Sequence, residues 1–416
     1  MGKQSRGGVL VGLVLAVAAG CARDPSPTHL GTDVVSGDNV RYATVTVGTD
    51  GTTYFGDGFS GSLDIDPLGA GDVRMADAGP TTLVWRTRAD GTRDWIRMLY
   101  GDVSLTSTSW TASDGAVFVP EHASVTKLDS GGQPAWTAPC TDWGCDGVFD
   151  VACSAATADG GIVVLGWDRR LVRLAGDGSV SWLSTAARLG PGCVDFQQMV
   201  KVLEAPDGTL LIGGNTGAPC TGASSSWPLG MFILRLDAGG NLVASRTVEN
   251  GDDNAKAVLV DMAVGADGSV FASVDVQGTV DFDSGPGKLV RSAGPGGAGF
   301  AMKMRPDFSL IAAVKTAANQ NFLGLIALAP DGGLVGVEHH DDQIFGFVSD
   351  PYLVRLDAGL SQVSSLRLAG AHSYVNGLAV GGGVIAVVGM GPANEYIPGA
   401  SGDTVPNGLF LARYRF

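Results

Sequence analysis

The stretch "DGAVFVPEHASVTKLDSGGQPAW", residues 114–136, contains a pattern that recurs along the chain. It opens on Asp-Gly, runs through apolar residues to a lysine between apolar neighbours, turns at Gly-Gly and closes on a tryptophan. Residues 159–182, "DGGIVVLGWDRRLVRLAGDGSVSW", repeat this order at nearly the same length. Asp-Gly between apolar runs is a strong short-range signal for a β-hairpin. The stretch therefore predicts antiparallel strands joined by tight turns.

One basic residue between apolar neighbours marks the same strand in each of seven units, about 54 residues apart on average, a spacing within reach of known repeat architectures. These residues are Arg86, Lys127, Arg173, Arg235, Lys303, Arg355 and Arg413. Upstream of each lies a pair of apolar strands joined by a turn, at Asp50-Gly51, Asp114-Gly115, Asp159-Gly160, Asp207-Gly208, Asp267-Gly268, Asp331-Gly332 or Gly381-Gly382. Each unit thus contains four strands, A to D, with short turns between A and B and between C and D.

A four-stranded antiparallel sheet cannot bury its own faces, but a ring of such sheets can. The seventh unit ends at Phe416 after strand C, and residues 32–47 align with a strand D followed by a strand A. The sequence therefore predicts an all-β, seven-bladed β-propeller of four-stranded antiparallel blades, closed by an N-terminal strand that removes exposed sheet edges. The tryptophans of D strands, Trp95, Trp136 and Trp182, are expected to wedge between neighbouring blades.

The composition agrees with many short strands and tight turns. The chain of 416 residues has 63 glycines, 17% charged residues and 45% hydrophobic residues, which is too apolar for a disordered chain. The net charge of −15 repels nucleic acid and anionic lipid surfaces. No nucleic-acid partner is therefore expected, whereas protein and glycan partners remain compatible with the charge.

The first twenty residues have the features of an export signal. Lys3 and Arg6 precede an apolar run, residues 7–20, that is too short to span a bilayer comfortably. "AAGC", residues 18–21, resembles the lipobox of bacterial lipoproteins, although Ala18 stands where leucine is usual. The resemblance implies that Cys21 carries a lipid; an ordinary secretory signal is the alternative. The predicted domains are a signal peptide (1–20), a tether (21–31) and the propeller (32–416), held in the cell envelope, at the outer membrane, by the lipid anchor alone.

The repeated units, with Asp-Gly, strand and closing tryptophan, resemble the quinoprotein-like (PQQ-like) β-propeller repeat. Residues 58–72 and 276–287 also resemble the variable-loop repeats of bacterial secreted β-propeller-repeat lipoproteins. The resemblance implies a fold rather than an activity. Quinoprotein dehydrogenases hold their cofactor with motifs that this sequence lacks, so no cofactor is predicted.

Strand direction sorts the loops onto two faces, because A–B and C–D turns emerge on one face and B–C and D–A connections on the other. Every long segment is a B–C or D–A connection: about 56–80, 137–152, 184–196, 214–229, 275–297, 336–350 and 391–407. Binding residues concentrate on loops held by a rigid scaffold. We therefore expect the face with the long loops to bind.

Two acidic patterns in these loops could hold a divalent cation. They are "HHDD", His339 to Asp342, and the pairs Asp64 with Asp66 and Asp281 with Asp283. Adjacent ligands on an extended strip rarely converge, and aspartates at strand ends commonly accept hydrogen bonds from backbone amides. The sequence therefore predicts no metal site and no catalytic residue.

Five further cysteines lie between residues 140 and 220, which predicts disulfides in an exported protein. Cys193 and Cys220 are expected to form a bridge, because their loops share a face. Cys140 with Cys145 is the second predicted pair, and Cys153 the free thiol, with Cys145–Cys153 as an alternative pairing. The function expected from the whole sequence is a monomeric, non-enzymatic binding or scaffold module for an envelope protein or glycan. The alternative is a periplasmic quinone- or metal-dependent enzyme.

Overall fold

The computed structural model describes residues 27–37, 43–65, 71–76, 81–100, 115–121, 123–145, 151–185, 196–216, 230–250, 255–283, 287–316, 321–340, 350–368, 374–391 and 408–415. Nearly all regular structure in this part of the chain is β-strand, and its short helical element is one 3-10 turn at Cys140–Trp143. The all-β prediction is confirmed.

The first half of the chain supplies three groups of strands. The N-terminal strand, β1, spans Thr28–Gly37. The first group then contains β2 (Ala43–Val47), β3 (Thr53–Phe59), β4 (Ser62–Asp64), β5 (Val73–Met75), β6 (Thr81–Thr87) and β7 (Arg93–Tyr100). The second contains β8 (Val117–Pro120), β9 (Ser124–Leu128) and β10 (Pro134–Pro139), and the third β11 (Val151–Ala156), β12 (Ile162–Gly166), β13 (Arg170–Leu174) and β14 (Val180–Thr185).

The second half supplies the rest. The longest run is β15 (Phe196–Glu204), β16 (Leu210–Thr216), β17 (Gly230–Leu236), β18 (Leu242–Asn250), β19 (Lys256–Val264), β20 (Val270–Asp281), β21 (Val290–Met304) and β22 (Leu310–Lys315). It is followed by β23 (Asn321–Leu328), β24 (Leu334–His340), β25 (Asp350–Leu356) and β26 (Gln362–Arg367), then by β27 (Tyr374–Gly381), β28 (Val384–Gly391) and β29 (Gly408–Arg415).

The described strands form six hydrogen-bonded sheets rather than the seven separate blades predicted. The difference lies in β15 to β22, where two four-stranded antiparallel groups belong to one sheet. β20 and β21 have 12 and 15 residues. They extend their hairpin far enough for Asp281 and Val280 to pair with Glu249 and Asn250 of β18. The predicted count of seven is therefore corrected, because a long hairpin joins two groups that the repeat pattern separates.

The N-terminal strand lies in the last sheet. β1 pairs antiparallel with β29 from Thr28, opposite Arg415, to Ser36, opposite Gly408. The end of β1 also pairs with β4, giving the order β27-β28-β29-β1-β4-β5. β1 thus begins inside residues 21–31, the predicted tether, and strand pairing orders the chain from Thr28.

Eleven of the described turns between first and second strands, or between third and fourth strands, share one construction. In each of the eleven, the first residue donates its N–H to the carbonyl of the fifth, and the fourth donates to the carbonyl of the first; Thr157 N to Gly161 O (2.9 Å) and Gly160 N to Thr157 O (2.9 Å) are an example. The fourth residue has a positive φ, 81° at Gly160, which explains the glycine of the Asp-Gly signal. The preceding aspartate, Asp159, accepts from the N–H of Gly161 (3.2 Å). The β27–β28 turn differs, because Gly381 pairs directly with Val384.

The three tryptophans lie between neighbouring sheets, as predicted. Trp95 Nε1 donates to the carbonyl of Ser130 (3.0 Å), Trp136 Nε1 to that of Gly176 (2.8 Å) and Trp182 Nε1 to that of Ala238 (2.8 Å). Each acceptor belongs to the turn between the third and fourth strands of the next sheet or group. The indole also packs against the glycine of that turn. Packing and the indole hydrogen bond together fix the distance between neighbouring sheets.

The recurring basic residues of the third strands hold turns in place rather than forming a site. Arg173 donates to the carboxylate of Asp159 (2.9 Å), and Lys127 donates to the carbonyl of Gly160 (3.0 Å) in the next sheet. Their side chains are largely buried, as in Lys127, which is 7% exposed. The sequence period therefore records a structural contact with the turns.

Hydrophobic side chains fill the spaces between sheets. Phe55 and Trp85 of the first group pack with Leu409 and Leu411 of β29, and all four are at most 1% exposed. Full burial of one such side chain stabilises the fold by about 1.5–3 kcal/mol. The core is therefore shared between neighbours around the ring, which explains why one repeat cannot fold by itself.

Candidate functional site: the long-loop face

The two faces of the propeller differ in how much chain they carry. We define the short-turn face by the turns after the first and third strands of each four-stranded group; eleven turns of the five-residue construction lie there in the described ranges. We define the long-loop face by the remaining connections. The β20–β21 hairpin and the segment holding β4 and β5 extend on the long-loop face. The long-loop face therefore carries the larger exposed hairpins of the described residues.

The turn between β12 and β13 forms a rigid corner of the long-loop face. Trp167 at its tip is 46% exposed. Arg169 has φ 70° and donates its N–H to the carbonyl of Gly166 (2.9 Å). A left-handed backbone costs a residue with a side chain about 1–2 kcal/mol, so surrounding contacts must hold this turn. One of them is the N–H of Arg170, which donates to the Asp168 carboxylate (3.0 Å).

The 3-10 turn at Cys140–Trp143 and the following Gly144 support this corner through a hydrogen bond. The guanidinium of Arg170 pairs with Asp168 and also donates to the carbonyl of Gly144 (2.5 Å). Gly144 ends the 3-10 turn that contains the buried Trp143. We call residues 166–170 together with this supporting turn the Trp167 corner. It presents an exposed indole on a held backbone, which is the usual arrangement of an anchor residue in an interface.

Cys140 and Cys145 flank the supporting turn at disulfide distance, with their Cα atoms 5.5 Å apart. Cys153, in β11, is fully buried and free, and burial raises the pKa of its thiol to about 12 even though Lys201 lies nearby. The alternative pairing of Cys145 with Cys153 is therefore absent from the structure. Cys193, Cys220 and Cys21 lie outside the described residues.

The first aspartates of the two D-x-D pairs, Asp64 and Asp281, make equivalent hydrogen bonds. Asp64 accepts from the N–H of Asp72 (3.0 Å), and Asp281 accepts from that of Leu289 (3.0 Å), eight residues ahead in both cases. The carbonyl that follows each aspartate accepts from an arginine of another strand: Ile65 from Arg93 (3.0 Å), and Phe282 from Arg246 (2.5 Å).

The two arginines explain how these acidic hairpins are held. Arg246 also lies 3.6 Å from the carboxylate of Asp283, and Asp66 is outside the described residues. A guanidinium therefore lies against each hairpin and supplies positive charge and donors to its oxygens. The carboxylates thus act as hairpin caps, the role that strand-ending aspartates commonly have.

The two histidines of the "HHDD" motif lie in a strand rather than in a loop as predicted. His339 and His340 are the last residues of β24 and pair with Pro351 and Asp350 of β25. Asp341 and Asp342 fall outside the described residues. Across the described ranges, no group of three or more His, Cys, Asp or Glu side chains is arranged to hold a metal ion.

Two buried polar features escaped the sequence analysis. Lys201 of β15 pairs with Asp261 of β19 (2.9 Å), and their side chains are 10% and 5% exposed. Asp261 also accepts from the N–H of Ile326 in β23 (3.0 Å), so it connects three first strands. Asp57 of β3 is 0% exposed and its carboxylate oxygens lack a well-aligned hydrogen-bond donor. Burial raises its pKa well above the ordinary value, and the Gly58 amide offsets only part of that rise.

Within the described residues, no helix is long and apolar enough to cross a membrane.

Comparison with solved structures supports the fold. The chain is similar to the Pan2 WD40 domain of Neurospora crassa (TM-score 0.52, 11% identity, covering 94% of this chain and 98% of that one) and to the WD40 repeats of RRP9 (TM-score 0.50, 11% identity, covering 94% and 99%). It also overlays BamB of Moraxella catarrhalis with a TM-score of 0.48 and 12% identity over 94% and 100% of the two chains. At such identities the likeness to the two WD40 structures shows a β-propeller and no activity.

No protein-family model matches the chain. No curated protein matches it either. The class defined by the fold is a β-propeller with four-stranded antiparallel blades.

Proposed function

We propose that the protein is an envelope-anchored lipoprotein that binds a protein or glycan partner through the long-loop face. The supporting observation is the contrast between the faces: tight, hydrogen-bonded turns close one face, while extended hairpins and the exposed Trp167 corner lie on the other. Rigid scaffolds with elaborated loops on one side are the common architecture of binding proteins. The role is non-enzymatic, and the protein acts as a monomer.

The proposal includes the parts of the fold that frame this surface. A signal peptide (1–20) precedes the propeller, and the predicted tether (21–31) is shortened to the residues before Thr28, where β1 begins. β1 acts as the strand that closes the ring. Its pairing with β29 supports this role, because it occupies an edge that would otherwise be open. A bridge between Cys193 and Cys220 is proposed to hold two of the long loops together.

The binding surface is tested by affinity capture from native membranes. Trp167→Ala removes the exposed indole, and loss of such an anchor weakens an interface by about 2 kcal/mol or more, roughly 30-fold. The matched control is Val243→Ala, which removes an apolar side chain that is 60% exposed on β18, away from the Trp167 corner. We expect the captured partner to be lost with Trp167→Ala and retained with Val243→Ala.

Two further measurements separate the alternatives. Sedimentation with purified envelope polysaccharide, using the same two variants, distinguishes a glycan ligand from a protein partner. Equal capture by both variants would contradict binding at the Trp167 corner. A quinone or metal that copurifies in stoichiometric amount would favour an enzyme instead of a binding module.

A further inference from the structure

The direction of β1 fixes where the N-terminal segment meets the propeller. Thr28 pairs with Arg415, which pairs with Val384 directly after the turn between β27 and β28. That turn belongs to the short-turn face. At its other end, Ser36 of β1 pairs with Asp64 at the base of an extended hairpin on the long-loop face. The chain therefore enters at the short-turn face and runs toward the long-loop face.

The reach of the preceding segment is short compared with β1 itself. From Cys21 to Thr28 the chain spans at most about 25 Å when fully extended. The 10 residues of β1 rise by about 33 Å. A group attached at Cys21 can therefore reach beyond the short-turn face but cannot pass the far end of the propeller.

We infer that the short-turn face lies toward the lipid bilayer and that the long-loop face projects away from it. This inference rests on the proposed lipid at Cys21 and adds an orientation to it. The acyl chains enter the membrane within about 25 Å of Thr28. The Trp167 corner then faces the aqueous compartment, where a large partner can reach it without competing with lipid headgroups.

The short-turn face is mainly acidic, although Arg88 and Arg305 are exposed in two of its turns. Hydrogen bonds from Thr92, Ser179 and Ser309 keep the pKa values of the carboxyls of Asp90, Asp177 and Asp307 below their usual range. These groups stay ionised at neutral pH. Lys127, Arg235, Arg355 and Arg413, the basic residues beneath the turns, are 5–7% exposed and engage the propeller. With a net charge of −15, the protein gains nothing from an anionic lipid surface.

The test uses lipidated full-length protein, purified from membranes and inserted into vesicles that contain a headgroup-linked quencher. A fluorophore is placed at Ala238→Cys, in an exposed turn of the short-turn face, or at Ser292→Cys, exposed on the extended β20–β21 hairpin. The parent protein without an added cysteine measures labelling of native thiols. We expect loss of fluorescence at Ala238→Cys and no loss at Ser292→Cys.

The outcomes separate orientation from anchoring. Stronger quenching at Ser292→Cys, or equal quenching at both positions, overturns the orientation while leaving the anchor intact. The Cys21→Ser variant, in the same vesicles with anionic lipid, should remain in the supernatant. If it binds as the parent does, the lipid anchor itself is wrong, whatever the quenching pattern.

Discussion

The contact between tryptophan and turn glycine predicts a specific stability loss for Gly132→Ala. Gly132 lies in the turn between β9 and β10 with φ 75°. A Cβ at this position would lie 2.6 Å from Cδ2 of Trp95, and the same indole donates to the carbonyl of Ser130 (3.0 Å). An alanine at position 132 would have to adopt the left-handed backbone conformation, which costs about 1–2 kcal/mol. Its Cβ would also clash with the indole, which costs about 1–3 kcal/mol. The expected loss is therefore about 2–5 kcal/mol of unfolding free energy.

Gly208→Ala is the matched control, because Gly208 occupies the same turn position with φ 77°. A Cβ at Gly208 meets nothing within 4 Å. Only the backbone penalty remains, and the expected loss is about 1–2 kcal/mol. Urea unfolding and calorimetric Tm, measured on both variants with intact disulfides, give the difference.

A double variant isolates the contact from the backbone effect. With Trp95→Ala as background, Gly132→Ala should destabilise no more than Gly208→Ala does, because the ring that it strikes has been removed. Equal losses for Gly132→Ala and Gly208→Ala in the parent protein would refute the reasoning. The tryptophans would then lie beside the turns without holding neighbouring sheets together.

Three further predictions concern buried groups. Burial raises the pKa of Asp57 in the folded protein above its ordinary value of 3.8, so the unfolding free energy should fall as pH rises from 3.8 to the folded-state pKa. Asp57→Asn should flatten the dependence of Tm on pH over this range. An unchanged slope would mean that other groups cause the pH dependence. Lys201→Met should lower the unfolding free energy by about 3–5 kcal/mol, because Asp261 is left without its lysine partner. The double variant with Asp261→Leu should recover much of this stability, and urea unfolding of the single and double variants measures both changes. Cys153 should resist alkylation at pH 8 until the protein unfolds, since its pKa is about 12; rapid labelling of the native protein at Cys153, located by peptide mapping, would show that β11 opens.

Local signals explain why much of the architecture could be predicted. An Asp-Gly turn is determined by neighbouring residues: the Asp159 carboxylate accepts from Gly161, and Gly160 adopts the positive φ. Strand alternation then assigns the loops to two faces, so the proposed binding face follows from loop lengths alone. Cys140 and Cys145 are only five residues apart, so their pairing could be predicted from the sequence.

Contacts between distant segments required the tertiary structure. The pairing of β18 with β20 depends on how far a hairpin extends, and it changes the count of sheets. Trp167 is one tryptophan among eight in the sequence, and it becomes an anchor candidate only because Arg170 reaches Gly144, 26 residues away. The pair of Lys201 and Asp261 likewise brings together strands from neighbouring groups. Periodicity determines the repeating unit, whereas the placement of side chains between repeats depends on packing that no single repeat contains.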